Sequence, residues 1–401
     1  MSRLDLPPYQ RAGSEWTSCE IAQQPSIWEA AAEGVAARRL ELDAFLAPLL
    51  RDQTTRIVLT GAGTSAYAGE ILAPALSRIL RRDVRALATT DIVSNPRHAF
   101  PDPARRTLLV SFARSGDSPE SIAAVDLADQ LLDECRHLVI TCNPEGTLYR
   151  ERAVAPRFFA LLMPPGANDR GFAMTSSFTS MLLSAWLAFS PTPRELVARL
   201  ARAGEQLAAA VMPTIERHAA AYHRVVYLGS GPLTGLARES ALKMLELTAG
   251  GVVAVHDSAL GFRHGPKSIL DDETLVVVFV SSDPYTRQYD LDIVREVRGA
   301  VPDGNLLTLS AGDESDLTAE DDWHVTGVED AGDVLIGLPF ILVPQLLALE
   351  TSVRLGHSPD NPFPTGGVNR VVRGVTIHPL LDATTGPIGR AVDPVWPLLS
   401  H

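Results

Sequence analysis

The stretch of sequence that decides the fold is Ile57-Val58-Leu59-Thr60-Gly61-Ala62-Gly63. A short apolar, β-branched run that ends in small, turn-forming residues is typical of a buried strand in a parallel sheet. The same pattern returns 168 residues later as Val225-Val226-Tyr227-Leu228-Gly229-Ser230-Gly231. This recurrence indicates that the chain contains two copies of one structural unit.

Two further apolar runs recur at the same distance. Residues 107–112 align with residues 275–280, and residues 138–143 align with residues 306–311, again 168 positions apart. Three strands in register predict a tandem duplication. We therefore expect the functional residues to lie where the two copies, or their partners, meet.

Strands and helices are predicted to alternate from Ile57 onwards, after one or two helices in residues 20–50. The predicted elements of the first copy are strands near Ile57–Thr60, Val84–Ala88, Leu108–Phe112 and Leu138–Cys142 and helices near Ala173–Phe189 and Arg194–Ala220. Such alternation predicts an α/β fold with two doubly wound parallel sheets, each covered by helices on both faces. We divide the chain into an N-terminal helical segment (1–50), two α/β domains (51–213 and 214–388) and a C-terminal tail (389–401).

Composition excludes several classes of function. The 401-residue chain carries a formal net charge of −13, which argues against nucleic acid and anionic membranes as partners because both attract basic surfaces. The three cysteines show no paired spacing, which suits a reducing cytosol. We find no signal-peptide core near the N-terminus, and the apolar stretch Val334–Leu349 contains two prolines, so we predict a buried helix there. The sequence predicts a cytoplasmic protein.

A loop that could bind an anion follows the first strand, at the sheet edge where ligands of parallel sheets bind. In Gly61-Ala62-Gly63-Thr64-Ser65 the glycines allow a tight turn, the next helix offers free N–H groups, and two hydroxyls add donors. The same residues could simply cap a structural helix. They also fit the dinucleotide pattern GxGxxA, but the acidic residue expected after the second strand is missing.

A second such loop, Arg114-Ser115-Gly116-Asp117-Ser118, follows the third strand. It offers hydroxyls, an unhindered backbone and a cation ahead of a helix that begins at Pro119. Two anion-binding loops at adjacent strand ends predict a phosphate site. The second copy has Ser281-Ser282-Asp283-Pro284 at this place, with an acid instead of the Ser-Gly pair, so we expect that loop to have lost the phosphate.

These loops resemble the sugar-phosphate loops of sugar isomerase (SIS) domains. Over about residues 20–380 the chain resembles the tandem SIS arrangement in the isomerase half of glucosamine-6-phosphate synthase. The resemblance implies a flavodoxin-like strand order and a sugar-phosphate substrate. It implies phosphate binding by Ser65, Ser115 and Ser118, with Thr64, Arg114 and Gly116 beside them, and contact of sugar hydroxyls with backbone near Ala173.

One helix of the second copy carries a candidate acid–base group. Residues 238–249 predict a helix that glycines terminate, with Glu246 in its last turn. The negative end of the helix dipole disfavours a carboxylate there, so we expect Glu246 to take up and return a proton near neutral pH. Alternatively, Glu246 forms a surface ion pair with Lys243 at i, i+3 spacing.

The SIS resemblance favours the catalytic alternative. Ala241-Leu242-Lys243-x-x-Glu246, followed by Gly261-Phe262-Arg263-His264-Gly265-Pro266, is similar to the catalytic pairing of that family. It implies that Glu246 carries a proton between C1 and C2 of the sugar. It also implies that His264 opens the sugar ring in the neighbouring subunit of a homodimer, and that Lys243 contributes to substrate binding.

The sequence leaves the role of a second histidine, His256, open. His256 and Asp257 could form an orienting pair, but a structural hydrogen bond explains them equally well. The sequence contains no HxxEH motif, clustered Cys and His, or acidic cation loop, so neither a metal nor an organic cofactor is expected.

One position departs from the synthase pattern. That family places in its C-terminal tail a lysine that can form a Schiff base with a ketose, whereas the matching residue here is Arg373. Arginine stays protonated and cannot form an imine, although it can still bind substrate. The glutamine-hydrolysing half is also missing. We therefore expect deamination of an amino sugar rather than its synthesis.

Three motifs narrow the resemblance: Glu20-Ile21-Ala22-Gln23-Gln24-Pro25, Phe112-x-Arg114-Ser115-Gly116 and the tail at residues 368–379. They are similar to motifs of the tagatose-6-phosphate ketose/aldose isomerase group, several of whose members act as galactosamine-6-phosphate deaminases. The resemblance implies conversion of galactosamine 6-phosphate to tagatose 6-phosphate and ammonia. Two alternatives stay open: aldose–ketose isomerisation without deamination, and a non-catalytic sugar-phosphate sensor.

Overall fold

The structure is a computed structural model that describes residues 13–152, 155–311, 315, 317–370 and 374–381. The elements of the first half are α1 (Glu15–Ala22), α2 (Gln24–Ala37), α3 (Arg39–Arg51), β1 (Arg56–Thr60), α4 (Thr64–Leu80), β2 (Val84–Ala86), α5 (Thr89–Ser94), α6 (Pro96–Ala99), β3 (Thr107–Ala113), α7 (Pro119–Leu131), β4 (Cys135–Thr141), β5 (Phe158–Leu162), α8 (Ser176–Phe189), α9 (Arg194–Ala210) and α10 (Met212–His218). Those of the second half are β6 (Arg224–Gly229), α11 (Pro232–Leu247), β7 (Val253–Asp257), β8 (Thr274–Phe279), α12 (Pro284–Arg298), β9 (Leu306–Ser310), β10 (Asp322–His324) and α13 (Asp333–Arg354).

Each half contains a parallel sheet of five strands. The order is β2-β1-β3-β4-β5 in the first half and β7-β6-β8-β9-β10 in the second. Both orders are the 2-1-3-4-5 arrangement of flavodoxin-like folds. The predicted fold class is confirmed, including the N-terminal helices, which number three rather than one or two. The domain boundary near residue 213 stays a prediction, and residues 389–401 lie outside the described residues.

The alignment of the two copies needs a correction. Ile57 pairs with Leu108 in the first sheet, and the equivalent Val225 pairs with Leu275 in the second, so β3 and β8 are 167 residues apart rather than 168. For β4 and β9 the distance is 169. A slip of one residue places a side chain on the opposite face of the sheet, and Leu108 and Leu275 indeed both belong to the central core.

The packing of α4 against α11 indicates an approximate two-fold relation between the two halves. Glu70 on α4 and Arg238 on α11 occupy equivalent positions, 168 residues apart, and form an ion pair with 2.6 Å between Oε1 and Nη1. Equivalent residues meet each other only close to a symmetry axis. The helices that follow the first strand of each half therefore pack together, and each brings its N-terminal loop to this junction.

α13 is the core helix of the second half. It is, among the described residues, the one helix long and apolar enough to cross a membrane, yet its most apolar window is entirely buried inside the protein. The predicted buried helix at Val334–Leu349 is confirmed despite Pro339 and Pro344. Gln24 of α2 donates from Nε2 to Oε1 of Gln345 over 2.6 Å, which ties the N-terminal segment to this helix.

The segment after α13 returns to the first half. The Asp360 carboxylate accepts hydrogen bonds from the backbone N–H groups of Trp16 and Thr17. Farther along, the carbonyl groups of Arg370 and Leu381 accept hydrogen bonds from Arg114 and Arg97. The C-terminal segment therefore crosses from the second half to the loops at the carboxyl edge of the first sheet.

Candidate active site

Three charged residues on one face of α11 form the centre of the site. Lys243 is fully buried, and its Nζ lies 3.4 Å from Oε1 of Glu239 and 2.5 Å from Oε2 of Glu246. The spacings i, i+4 and i, i+3 place the three side chains on one helix face. The Glu246 side chain is 26% exposed, whereas Glu239 is fully buried. Glu246 is therefore the carboxylate of the trio that a substrate can reach.

Thr64 joins this trio to the first half. Its Oγ1 accepts a hydrogen bond from Lys243 Nζ at 3.0 Å and donates one to Glu239 Oε1 at 3.2 Å. We expected this hydroxyl to serve a phosphate, but it is already used by the carboxylate–ammonium cluster. Gly63 stands before it with φ near 54°, a conformation that favours glycine, and the turn brings the start of α4 against α11. Ser65, in the first turn of α4, is 5% exposed.

Burial and nearby charges shift the pKa values of these groups in opposite directions. Burial raises the pKa of Glu239 to about 8, although the Lys243 ammonium opposes that rise. Burial by itself would lower the pKa of Lys243, but the two carboxylates prevail and hold it above its ordinary value. Lys243 therefore stays a cation. The ion pair with this buried cation fixes the Glu246 side chain.

The loop after β3 stands next to this cluster. Ser118 caps α7: its Oγ accepts from Ser121 N at 3.2 Å and donates to Ser121 Oγ at 2.7 Å. The Ser115 carbonyl accepts from Asn143 Nδ2 at 2.9 Å, and Gly116 adopts φ near 71°. These contacts fix the backbone of the loop. The Ser118 hydroxyl is used as the helix cap, so Ser115 is the better candidate for a phosphate donor.

Arg114, the first residue of this loop, lies within electrostatic range of Glu246. Its guanidinium is 8% exposed and donates to the carbonyl groups of Phe172 at 3.4 Å and Arg370 at 2.8 Å. Burial lowers the pKa of Arg114, and the Arg370 cation lowers it further, while Asp169 and Glu246 raise it. The hydrogen bond to its carbonyl places Arg370 beside Arg114. Ala173, which follows Phe172, is buried beside them.

Among the described residues, two predicted groups, His264 and the His256–Asp257 pair, make no hydrogen bond to this cluster. His264 is exposed on the loop between β7 and β8, and no hydrogen bond between described residues joins its ring to Glu246 or Lys243. Asp257 accepts from the N–H of Ser258 rather than from His256. Arg373 falls outside the described residues.

The sequence did not identify Glu239, Glu20 or Asp169 as candidate site residues. Glu239 precedes Lys243 by four residues, a spacing that signals an ion pair on one helix face. Glu20 and Asp169 carried no such local signal because their partners are backbone N–H groups at residues 170–177.

One group of possible metal ligands occurs among the described residues, at the opposite edge of the sheet. Asp129, Cys135 and His137 place their ligand atoms within 4.8 Å of one another. Burial raises the pKa of the Cys135 thiol to about 12, which disfavours the thiolate that binds metals. Asp129 is already paired with His137 and with Arg157. We therefore interpret this group as a structural ion-pair cluster.

This arrangement matches a known family over most of the chain. The family model described as SIS domain matches residues 49–191 and 220–354, one match in each half. The chain therefore belongs to the SIS-domain proteins, as a tandem member with an additional N-terminal helical segment.

Individual relatives are similar over nearly their whole length. A Streptomyces coelicolor protein is 54% identical over 374 residues, which cover 90% of this chain and 95% of that protein. An Escherichia coli protein named D-galactosamine-6-phosphate deaminase AgaS is 46% identical over 385 residues, 93% of this chain and 98% of the relative. The crystal structure of tagatose-6-phosphate ketose/aldose isomerase from Escherichia coli superposes with a TM-score of 0.85 at 44% identity, covering 94% of this chain and 99% of that one.

Proposed function

We propose that this protein is an amino-sugar-phosphate deaminase that converts galactosamine 6-phosphate and water to tagatose 6-phosphate and ammonia. The observation that carries the proposal is Glu246, a partly exposed carboxylate fixed by the buried Lys243 between the two halves. The full-length likeness to relatives named for this reaction supports the choice of substrate.

Each step of the reaction has a candidate group. After ring opening, Glu246 takes the proton from C2 and returns it to C1, because one carboxylate in reach of both carbons can act as base and then as acid. In the same rearrangement the amino group loses one proton and the aldehyde oxygen gains one, which leaves an alcohol at C1. The product is an imine at C2, to which water adds; ammonia then leaves and the C2 ketone forms. The loop at Ser115 and the nearby Arg114 bind the 6-phosphate with charge-assisted hydrogen bonds.

Ammonia release identifies the reaction. The pure protein is incubated with galactosamine 6-phosphate, glucosamine 6-phosphate and tagatose 6-phosphate, and both ammonia and the sugar products are measured. We expect ammonia from galactosamine 6-phosphate in preference to its C4 epimer. Interconversion of tagatose 6-phosphate with an aldose, without any ammonia from either amino sugar, would instead favour the simple isomerase.

We further propose that the active unit is a cytoplasmic homodimer in which His264 opens the sugar ring at the partner's site. His264 is exposed, and among the described residues no hydrogen bond joins its ring to Glu246 of the same chain; both observations support this assignment. Mixing a Glu246→Gln chain with a His264→Ala chain tests it. Each hybrid dimer would contain one site with both changes and one with neither, so activity should return. Continued inactivity after proven subunit exchange would contradict a shared site.

A further inference from the structure

The loop between β5 and α8 is held by two buried carboxylates. Asp169 holds its far end, accepting hydrogen bonds from the N–H groups of Thr175, Ser176 and Ser177. Glu20, which comes from α1, holds the near end by accepting from the N–H groups of Arg170 and Gly171. The loop therefore depends on a side chain that lies outside both SIS matches.

The contact between Glu20 and the loop is close. A Cβ atom at Gly171 would lie 2.9 Å from Glu20 Oε2 and 2.5 Å from Thr17 Oγ1, so only glycine allows α1 to approach this backbone. Ser176 adds a second link, because its Oγ donates to the Glu20 carbonyl at 2.7 Å and accepts from Gln23 Nε2 at 3.0 Å. The Glu20-Ile21-Ala22-Gln23 part of the sequence motif thus holds this one loop.

The middle of the loop is left for a ligand. Among the hydrogen bonds of the described residues, none uses the N–H groups of Phe172, Ala173 or Met174, although Ala173 is 1% exposed. Buried N–H groups without a protein partner are rare, because each costs about 1–3 kcal/mol. The carbonyl of Phe172 already faces Arg114. The segment between the two carboxylate anchors therefore presents donors beside the Arg114 guanidinium.

Electrostatics place Glu20 in the same region. Burial raises the pKa of Glu20 to about 7, and Asp169 adds to that rise, whereas the N–H groups of Arg170 and Gly171 and the Arg370 cation oppose it. Asp169 and Arg370 also act on Arg114. Burying two carboxylates costs free energy, yet the fold buries Glu20 and Asp169 next to this loop.

From these contacts we infer that Glu20 is a positioning residue for the substrate: it fixes the backbone at residues 170–171 so that the free N–H groups of residues 172–174 bind the sugar hydroxyls. This inference rests on the proposed function. It assigns to the N-terminal segment a part in substrate recognition, separate from phosphate binding at Ser115. A misplacement of such a loop by about 1 Å can reduce catalysis about 100-fold.

Kinetics of ammonia release from galactosamine 6-phosphate test the inference in Glu20→Ala, Glu20→Gln and Gln24→Ala. Gln24 is the matched control, since it is buried in the next helix and bonds to Gln345 and Thr179 without touching residues 170–174. We expect Glu20→Ala to lower kcat/KM about 10–100-fold, chiefly through KM. Glu20→Gln, which keeps one acceptor oxygen, should recover part of that loss. Gln24→Ala should lower the melting temperature and leave KM within about twofold.

Inhibition by inorganic phosphate separates the two binding regions. Its inhibition constant should be unchanged in Glu20→Ala, because phosphate binds at the Ser115 loop. An unchanged KM in Glu20→Ala, or an equal rise of KM in Gln24→Ala, would overturn the inference. If Glu20→Ala does not fold, Gly171→Ala disturbs the same contact from the loop side and should raise KM in the same way.

The proposed function and this inference can fail separately. If the wild type releases no ammonia, the deaminase proposal is wrong. Calorimetric binding of tagatose 6-phosphate to the same variants then still tests Glu20, with weaker binding expected in Glu20→Ala and equal binding contradicting the inference.

Discussion

The two halves share a turn but differ in the loop that lies beside it. Gly63 and Gly231 have nearly the same backbone angles, φ and ψ near 54° and −127° in one and 56° and −126° in the other. After the central strand, however, five residues (114–118) lead from β3 to Pro119 in the first half, whereas four residues (280–283) lead from β8 to Pro284 in the second. The second loop is shorter where the first presents Ser115 and Gly116.

The shorter loop is occupied by carboxylates of the protein itself. Asp333, in the first turn of α13, accepts from Ser281 Oγ at 2.6 Å and from the N–H and Oγ of Ser282 at 2.7 and 2.8 Å. Asp290 accepts from Ser281 N at 2.9 Å and from Ser230 Oγ at 2.5 Å. These are the donors that a phosphate would use, so this loop has become an internal structural contact.

The acid–base residues show the opposite distribution. The positions of Glu239, Lys243 and Glu246 on α11 correspond, by the 168-residue spacing, to Ile71, Ala75 and Arg78 on α4. The first half therefore has the open anion loop without the carboxylates, and the second half has the carboxylates without an open loop. Because α4 and α11 pack together, we propose that the two parts combine into one site per chain.

The largest effect is expected from Glu246→Gln. The amide keeps the shape of the side chain but cannot carry the proton, so kcat should fall about 10²–10⁴-fold. The exposed Arg78, at the equivalent position of the first half, provides the control, and Arg78→Gln should leave kcat unchanged. Near wild-type turnover by folded Glu246→Gln would remove Glu246 as the base.

Asp333→Ala should destabilise the protein without affecting the substrate. Three donors of Ser281 and Ser282 lose their acceptor, so the free energy of unfolding should fall by about 3 kcal/mol, as measured by denaturant titration. Inorganic phosphate, which can replace the carboxylate, should raise the melting temperature of this variant more than that of the wild type. A higher KM together with unchanged stability would show that the second loop binds substrate.

Ser115→Ala and Ser282→Ala compare equivalent positions of the two loops. Ser115→Ala should weaken substrate binding by about 1–2 kcal/mol through the loss of a hydrogen bond to a charged group. Ser282→Ala should lower stability and leave KM unchanged. Similar KM values for both variants and wild type would show that the phosphate does not bind at the Ser115 loop.

A smaller effect concerns pH. Because the folded protein raises the pKa of Glu239 from 4.5 to about 8, its protonated form is the one that the fold favours. Its stabilising contribution is therefore complete below about pH 4.5 and is lost as the pH rises through about 8. Glu239→Gln should flatten the decline of unfolding free energy between pH 5 and pH 8. The same slope in wild type and variant would contradict a raised pKa.

The sequence was sufficient for the fold because the apolar runs are strong local signals. The sequence-based prediction was less accurate where the local pattern is weak, or where one average spacing was applied to all strands. β5 and β10 were not predicted, and a uniform spacing of 168 concealed shifts of one residue in the third and fourth strands, which only the pairing of Ile57 with Leu108 and of Val225 with Leu275 reveals.

The sequence identified candidate residues for the site but not their hydrogen-bond partners. Lys243 does contact Glu246 and Thr64 of the first loop at the junction of the halves. The sequence could not show that the Thr64 hydroxyl faces Lys243, because that contact joins residues 179 positions apart. Nor could it show that Glu20 reaches Gly171, since backbone N–H groups leave no mark on residue type.

A crystal structure of the Glu246→Gln variant with galactosamine 6-phosphate tests the central claim most directly, that one site is assembled from both halves of the chain. The account predicts the 6-phosphate at the Ser115 loop of the first half, with C1 and C2 of the sugar in contact with the side chain at position 246 on α11. A phosphate bound at Ser281 and Ser282, or a sugar far from position 246, would contradict it.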